Sequence, residues 1–315
     1  MGTSEVILVG VDGSKESFAA VKWAAERSKL RSCRLHIICT YAVASYAAAT
    51  LDGGYAVLDD AALKEGASQI VKQGVDLAKE VGAPDVHGLV EAGDPAGILI
   101  DMSREVDLIV VGSRGGGGFA DRLLGTVSSA LPAHAHCPVV IVPRHTSGKA
   151  FTPVERIVVG SDGSEGATSA LKRAVDEAEL WDARLTAVAA VPMATGTTMM
   201  AWLPANIDRD KLLKDVKEGL DSAVDAALNG RQRKVARHAL DGSPSSLLIE
   251  FSTAVDLVVV GTRGRGGFAG ILLGSTSQTV IAHSTCPVMV VPSAHHDVST
   301  DTSQAWCRRY GCVFK

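Results

Sequence analysis

Aromatic residues make up only 4% of the 315-residue chain, and no apolar stretch is long enough to cross a membrane. The uncharged stretch Leu35–Leu51 is shorter than a spanning helix and contains the polar residues His36 and Thr40. The formal net charge of −4 argues against a general nucleic-acid-binding surface. No positively charged segment leads into an apolar run, as a secretory signal would require. These absences predict a soluble, cytoplasmic protein whose partners include neither nucleic acids nor membranes.

The six cysteines have no regular spacing, which argues against a disulfide framework. Cys137 and Cys286 lie in two similar Cys-Pro-Val stretches and are expected to be buried, reduced thiols. His134 and His136 precede Cys137 and suggest a metal site, but the second stretch has no counterpart of His136. Because a histidine at a helix end commonly meets the negative end of the helix dipole, we predict no metal site.

What the sequence does contain is a unit of strand, glycine-rich loop and helix that occurs twice. The first copy begins at Leu108–Val111, an apolar run typical of a strand buried on both faces. Three glycines keep the same spacing in both copies: Gly112, Gly115 and Gly125 in the first, and Gly261, Gly264 and Gly274 in the second. Glycine lets a backbone approach a ligand closely, and the free amides at a helix start bind anions. The duplicated spacing therefore indicates a binding loop rather than a flexible turn.

The whole succession of elements is duplicated along with this unit. The turn Asp12-Gly13-Ser14 follows the first strand, and Asp162-Gly163-Ser164 copies it 150 positions later. Each serine is a suitable N-cap for the next helix. A polar linker at 144–153 separates two domains, which we predict at 1–146 and 152–293. Residues 294–315, with Cys307 and Cys312, form a tail that does not match the repeat.

Apolar strands that alternate with helices predict an α/β fold with two tandem Rossmann-like domains. Each domain is expected to be an open five-stranded parallel sheet with helices on both faces, in the strand order 3-2-1-4-5 that this fold class uses. In such sheets ligands bind beyond the carboxyl ends of the strands, where the strand order reverses. Asp12 and Gly112 would then face one crevice. Pro132 is expected to kink or shorten the helix after the first glycine loop.

Together these features resemble the universal stress protein family in its tandem form. The resemblance rests on the Val-Gly-x-Asp-Gly-Ser segments Val9–Ser14 and Val159–Ser164, on both glycine loops and on both Cys-Pro-Val strands. It covers roughly residues 5–143 and 154–292. The nucleotide-binding members of that family hold ATP with this loop. The resemblance implies one ATP per domain, with or without Mg²⁺, and a role as a stress-response regulator or sensor.

The resemblance also implies which residues contact the nucleotide. Adenine would meet the aspartate after the first strand and the backbone at the end of the second strand, which here are Asp12 with Tyr41 and Asp162 with Val191. The phosphates would meet the loop glycines and the hydroxyls at the helix start, which are Thr126 and Ser128 in one copy and Ser275 and Ser277 in the other. The loop is thus expected to form the phosphate end of each site.

Two kinds of charged residue on these loops leave alternatives open. Asp12 and Asp162 either contact the nucleotide, directly or through a metal, or only shape the turn before the following helix, and both roles can coexist. Arg114 and Arg263 either neutralise phosphate or are solvated loop charges.

The charge of the two loops predicts unequal sites. Between the motif glycines the first loop has a net charge of +1, from Arg114, Asp121 and Arg122. The second loop has +2, from Arg263 and Arg265. Because a triphosphate is a dense anion, we expect the second domain to bind ATP more tightly.

Catalysis is not expected. Neither loop ends in the Gly-Lys-Ser/Thr of a P-loop, and neither has the G-x-G-x-x-G spacing of dinucleotide-binding folds. No base accompanies the loop in both copies, and no Ser/His/Asp arrangement is visible. The alternatives are a slow ATPase, an ATP-using adenylating enzyme, which would carry a Ser-Gly-Gly-x-Asp-Ser loop after the first strand, or a nucleotide-free protein-binding module.

The last strand of each domain suggests how the domains associate. Pro138–Val142 and Pro287–Val291 are apolar runs at the edges of their sheets, and a bare edge strand tends to pair. This predicts an internal pseudo-dimer of the two domains, with a homodimer as a further possibility. ATP binding is expected to order the connections 42–55 and 192–207. This ordering would change the surface that is presented to a protein partner of unknown identity.

Overall fold

The computed structural model describes residues 5–41, 60–115, 123–144, 150–192, 209–265 and 272–293. The chain divides into two compact units, Met1–Arg144 and His145–His295. The tail at 294–315, the loop residues Asp121 and Arg122, and most of the two connections lie outside the described residues. Predictions that depend on those segments stay predictions.

The first unit is a parallel α/β domain. Its elements are β1 (Val6–Gly10), α1 (Lys15–Arg31), β2 (Arg34–Tyr41), α2 (Asp60–Val81), β3 (Asp85–Ala92), α3 (Pro95–Met102), β4 (Leu108–Gly112), α4 (Thr126–His134) and β5 (Val139–Val142). The strands lie in the order β3-β2-β1-β4-β5, and each neighbouring pair is parallel. The chain order therefore reverses between β1 and β4, where such sheets place their ligands.

The second unit repeats this arrangement. Its elements are β6 (Arg156–Gly160), α5 (Glu165–Leu180), β7 (Arg184–Val191), α6 (Arg209–Leu228), β8 (Val235–Asp241), α7 (Pro244–Ser252), β9 (Leu257–Gly261), α8 (Ser275–His283) and β10 (Val288–Val291). Its strands lie in the order β8-β7-β6-β9-β10, again all parallel. The predicted α/β class with two tandem parallel-sheet domains is confirmed.

The strands β1, β4, β5, β9 and β10 are continuously apolar because helices cover both faces of the sheet, whereas β8 alternates between half-buried and exposed residues. Ile37 faces α2, where a Cβ on Gly74 would lie 3.0 Å from its Cγ2. On the other face of the sheet, Gly10 of β1 contacts α3: a Cβ added to Gly10 would lie 3.2 Å from the Leu99 Cδ1. Neighbouring residues of a strand point to opposite faces, so α2 and α3 lie on opposite sides. Burial on both sides excludes the alternation typical of a half-exposed strand.

Serine side chains start the first helix of each domain, as predicted. The Ser14 hydroxyl accepts a hydrogen bond from the Ser17 N–H at 3.1 Å, and the Ser164 hydroxyl accepts one from the Ala167 N–H at 3.2 Å. Each cap satisfies one amide that the helix itself leaves unpaired. These caps fix the direction in which the chain leaves the end of strand β1 or β6.

Pro132 does not shorten its helix, contrary to the expectation from sequence. Helix α4 has nine residues, as does α8, which contains no proline. The helix ends two residues after Pro132, so the missing N–H removes a single bond near the end. The Ala135 N–H donates to the Leu131 carbonyl at 2.9 Å and closes the last turn. The start of α4, at the other end, is unaffected.

A buried histidine pair distinguishes the first domain from the second. His36 and His87 are register partners on β2 and β3, and their rings stack with centroids 5.2 Å apart. The Asp85 carboxylate lies 2.7 Å from His87 Nε2 and accepts a hydrogen bond from Arg34 at 2.9 Å. Burial, followed by the charges of His87 and Arg34, lowers the pKa of His36 from 6.5 to about 3. The second domain has Thr186 at the position of His36.

This pair predicts an acid sensitivity specific to the first domain. The folded state keeps His36 neutral, whereas the unfolded chain binds a proton below pH 6.5. Stability from this residue is therefore present above pH 6.5 and falls as the pH decreases toward 3, by about 1.4 kcal/mol per pH unit. We expect His36→Thr, which copies the second domain, to flatten the pH dependence of unfolding of the first domain by about one proton. Hydrogen exchange of the β2 amides between pH 7.5 and 5 measures this, and an unchanged slope in the variant would contradict it.

Candidate functional site

Each domain has a cavity beyond the carboxyl ends of its first and fourth strands. The cavity of the first domain measures about 600 Å³ and that of the second about 480 Å³. Both volumes are in the range of sites for small molecules and cofactors. The site therefore lies where the reversal of strand order predicts it.

Most of the residues predicted from the sequence line these cavities. In the first domain they are Asp12, Gly112, Arg114, Gly115, Gly125, Thr126 and Ser128. In the second they are Asp162, Gly261, Arg263, Gly264, Gly274, Ser275 and Ser277. The two loops thus meet the turn after the first strand in both domains.

Tyr41 and Val191 are the two predicted residues that do not line a cavity. Their carbonyl oxygens accept hydrogen bonds from the N–H groups of Gly93 and Gly242, at 2.9 and 3.0 Å, on the side of the third strand. The residues one position earlier, Thr40 and Ala190, line the cavities instead. The backbone groups of successive strand residues point to opposite sides. A shift of one residue therefore decides whether a carbonyl points toward the cavity or toward the neighbouring third strand.

The two aspartates form hydrogen bonds that shape the turn after the first strand of each domain, and Asp162 also binds the glycine loop. Asp12 Oδ1 accepts hydrogen bonds from the Ser14 N–H at 3.0 Å and the Ser14 hydroxyl at 2.6 Å. Asp162 Oδ1 accepts the corresponding bond from the Ser164 N–H at 3.0 Å, and its Oδ2 accepts one from the Arg265 N–H at 2.8 Å. The turn-forming role of these aspartates is therefore present, and in the second domain the same carboxylate also holds the loop backbone.

The loop glycines are required by close contacts inside the protein. A Cβ on Gly115 would collide with the Asp12 carboxylate, and one on Gly264 with the Asp162 carboxylate. A Cβ on Gly112 would lie 2.8 Å from the Glu16 carbonyl carbon. Neither Gly115 nor Gly264 has a positive φ in the left-handed region, so a special backbone conformation is not the reason for glycine. The glycines let the loop lie directly against the aspartate and the start of the first helix.

The helix after each glycine loop begins without a side-chain cap. Its N-cap is Gly125 in α4 and Gly274 in α8, and neither supplies a capping oxygen. In α4 the first bond back to the cap runs from the Ser129 N–H to the Gly125 carbonyl, at 3.1 Å. The N–H groups of the first helical turn, residues 126–128, therefore have no acceptor within the helix and lie at the cavity wall. Such a helix start attracts an anion.

The four predicted hydroxyls divide into two roles. Ser128 and Ser277 are buried and donate hydrogen bonds of 2.7 Å to the carbonyls of Ser113 and Gly261, respectively. Thr126 and Ser275 are exposed at the cavity, and their hydroxyls have no hydrogen-bond partner in the part of the chain that the structure describes. Ser128 and Ser277 thus fix the helix against the end of the strand, and Thr126 and Ser275 are available to a ligand.

Part of the wall of each cavity is apolar. Val11, Ile38 and Leu99 contribute to it in the first domain, and Val188 and Leu248 in the second. Each cavity therefore combines an apolar slot with a helix start rich in N–H donors. This arrangement suits a ligand with a flat apolar part and an anionic part.

The arginines near the loops differ between the domains. The Arg114 Nε donates to the Leu123 carbonyl at 3.2 Å, so this side chain lies along its own loop. Arg263 reaches the Ser293 hydroxyl at 3.5 Å, and the Arg265 guanidinium lies over Gly163, where an added Cβ would meet its Nη2 at 2.5 Å. All three line their cavities. The positive charges of these arginines would lower the free energy of an anion bound in the same cavity.

Sequence reasoning missed two charged residues of the first cavity, Glu16 and Arg144. They lie far apart in the chain, and their equivalents in the second domain are Gly166 and Ser293. Because a search for shared features of two copies ignores positions that differ, no signal in the repeat identifies them. Their presence makes the two cavities chemically different.

No helix in the described part of the chain is long and apolar enough to cross a membrane.

Comparisons with known proteins follow the same division into two domains. The family model described as "Universal stress protein family" matches residues 3–143 and again 153–292. The universal stress proteins Rv2623 and Rv1996 of Mycobacterium tuberculosis are each 33% identical to this chain. Both alignments cover 90% of this chain, and they cover 95% of Rv2623 and 94% of Rv1996. A universal stress protein structure from Archaeoglobus fulgidus superposes with a TM-score of 0.67 over 92% of this chain and 99% of that one, at 21% identity. The last likeness concerns the fold alone.

Proposed function

The chain belongs to the universal stress protein family, and from this premise we propose that each of its two domains binds one ATP and that the chain acts as a stress-response regulator or sensor. Adenine would occupy the apolar slot, and the triphosphate would lie at the start of helix α4 or α8. Mg²⁺ would enter, where present, as a counterion of the phosphates.

The observation that carries the proposal is the helix start with a glycine N-cap and no side-chain cap, which α4 and α8 share. In both domains a glycine occupies the N-cap, an exposed hydroxyl residue follows it, and the free amides line a cavity of suitable volume. In contrast, side chains cap α1, α3 and α5, the last two through Asp94 and Ser164. Helix α7 also begins at the second cavity without a side-chain cap, but its first residue is Pro244, which has no N–H. The starts of α4 and α8 are thus the ones expected to bind the phosphates, since these would satisfy their amides.

A regulator is favoured over an enzyme because the acids at these cavities are already engaged. Asp12 and Asp162 hold the turn after the first strand, and Glu16 forms an ion pair with Arg144. A general base must be free to accept a proton from the attacking group. A slow ATPase remains the alternative to this proposal, and an adenylating enzyme is disfavoured because the turns at Asp12 and Asp162 are too short for its phosphate loop.

The proposal is tested by identifying what the purified protein carries. The protein is denatured after extensive washing, and mass spectrometry analyses the small molecules that it releases. We expect ATP in an amount approaching two molecules per chain. Release of no nucleotide, together with no binding of added ATP in a calorimetric titration, would contradict the proposal and favour the nucleotide-free module.

The two sites are predicted to differ in affinity, with the second domain binding ATP more tightly. Among the described lining residues, Asp12 and Glu16 balance two arginines at the first cavity, whereas Asp162 is the one acid beside two arginines at the second. One unit of charge near a surface contributes about 1 kcal/mol, or several-fold in affinity. Titration of ATP into Gly264→Ala measures the first site alone, and titration into Gly115→Ala the second. Tighter binding at the first site would show that charge does not set the order.

A further inference from the structure

Glu16 and Arg144 form an ion pair at the first cavity, and their equivalents among the described residues of the second domain are the uncharged Gly166 and Ser293. Glu16 is the second residue of α1, and its Oε1 lies 3.7 Å from the Nε of Arg144, which follows β5. The carboxylate side chain is only 17% exposed, whereas the arginine side chain is 66% exposed. An ion pair of this length with one partner in solvent is weak, so Arg144 neutralises Glu16 incompletely.

The position of Glu16 places its charge at the loop end of the cavity. A Cβ built on Gly112 would lie 2.9 Å from the Glu16 Cβ, and Gly112 is the residue from which the chain enters the glycine loop. Glu16 lines the same cavity as Gly115 and Thr126. Glu16 is therefore an acid in the wall of the cavity at the point where the chain enters the glycine loop, and its charge repels the anionic part of a ligand bound there.

The second domain has no room for such a carboxylate. Gly166 stands at the equivalent position, and a Cβ there would lie 2.6 Å from the Arg263 carbonyl oxygen. Ser293 replaces Arg144 and lies beside the Arg263 guanidinium. The second cavity thus presents two arginines and the helix start to an anion, with Asp162 as its only acid among the described lining residues.

We propose that Glu16 makes the first site select adenine nucleotides by their number of phosphates. Compared with the second site, the first site favours the less charged AMP and ADP over ATP. This inference rests on the proposed nucleotide binding. Each added phosphate brings more negative charge toward the same carboxylate, so the penalty grows from AMP to ADP to ATP. The two domains of one chain would then respond differently to the ratio of ATP to its lower phosphates.

The test measures AMP, ADP and ATP binding by calorimetry at the first site, in Gly264→Ala, with and without Glu16→Gln. We expect Glu16→Gln to raise ATP affinity about fivefold, ADP affinity less and AMP affinity least, with smaller gains at high salt. Arg144→Ser, which copies the second domain but leaves Glu16 unneutralised, is expected to lower ATP affinity.

Glu165→Gln is the matched control, because this acid also lies in the first turn of its helix but does not line the second cavity. Its effect is measured at the second site, in Gly115→Ala, and we expect no change.

The outcomes separate this inference from the proposed function. If all three nucleotides bind and Glu16→Gln changes their affinities equally or not at all, Glu16 does not select by phosphate number, and the proposed function stands. If no adenine nucleotide binds to the unaltered chain, the proposed function itself fails. A role of Glu16 confined to the stability of α1 would change the melting temperature without producing a graded series across the three nucleotides.

Discussion

Gly115→Ala is expected to weaken ATP binding strongly in the first domain and leave the second domain intact, and Gly264→Ala is expected to do the reverse. The added methyl would occupy the space of an Asp12 or Asp162 carboxylate oxygen. Either the aspartate or the loop must move, and both form the wall of the cavity. Forcing a methyl into such a contact costs about 1–3 kcal/mol, which corresponds to roughly 5- to 150-fold in affinity when the bound state needs the original geometry. Calorimetric titration of each variant measures the loss.

Two glycines elsewhere in the chain provide matched controls. Gly66 in α2 and Gly219 in α6 have no heavy atom within 4 Å of a built Cβ. Alanine at either position should leave binding unchanged and stabilise its helix by up to about 1 kcal/mol. If the double variant Gly115→Ala with Gly264→Ala still binds two ATP with unchanged affinity, the loops do not form the sites.

A carboxylate placed at the uncapped helix start should affect stability and binding in opposite directions. Thr126→Glu and Ser275→Glu put a negative charge at the first position of α4 or α8. The charge favours the helix by about 0.3–1 kcal/mol through its interaction with the free amides and the dipole. The same charge would compete with phosphate for those amides and repel it, so we expect ATP binding at the altered site to fall about 100-fold.

Neutral substitutions at these positions separate the hydroxyl from the amides. Thr126→Val and Ser275→Ala remove one hydroxyl and keep the helix start, so each should weaken ATP binding only several-fold, as expected for the loss of one hydrogen bond. Thermal unfolding gives the stability of each variant, and titration gives its affinity. A glutamate variant that gained stability and retained full ATP affinity would exclude the helix start as the phosphate site.

The fold was predictable because two strong signals agree. Runs such as Leu108–Val111 and Leu257–Val260 are apolar without alternation, which only a sheet covered on both faces accommodates, and helices cover both faces here. The repetition of each element at an almost constant spacing indicated two domains of the same kind. The resemblance to the universal stress protein family rested on the same repeated motifs, and it is confirmed.

The site was only partly predictable, for reasons specific to particular residues. Tyr41 and Val191 stay predictions as nucleotide contacts, but they do not line the cavities, whereas Thr40 and Ala190, one position earlier, do. The sequence pattern does not define the end of a strand closely enough to choose between neighbouring residues. Gly115 was expected to let the backbone approach the phosphates, but its closest constraint is the Asp12 carboxylate. Such a contact between distant parts of the chain leaves no local pattern in the sequence.

Glu16 shows the limit of reasoning from a repeat. The duplicated positions revealed what the two sites share, while the differences between them lie at positions that the repeat does not constrain. An acid in the first turn of a helix also has an ordinary explanation, the helix dipole, so the sequence alone gives no reason to place it in a cavity. Only the geometry brings it beside Gly112 and Arg144.

The central claim, one adenine nucleotide in each domain, is tested most directly by native mass spectrometry of the chain titrated with ATP. We predict two bound ATP for the unaltered protein, one for Gly115→Ala, one for Gly264→Ala and none for the double variant. Two bound ATP in all four proteins, or none in any of them, would contradict the claim.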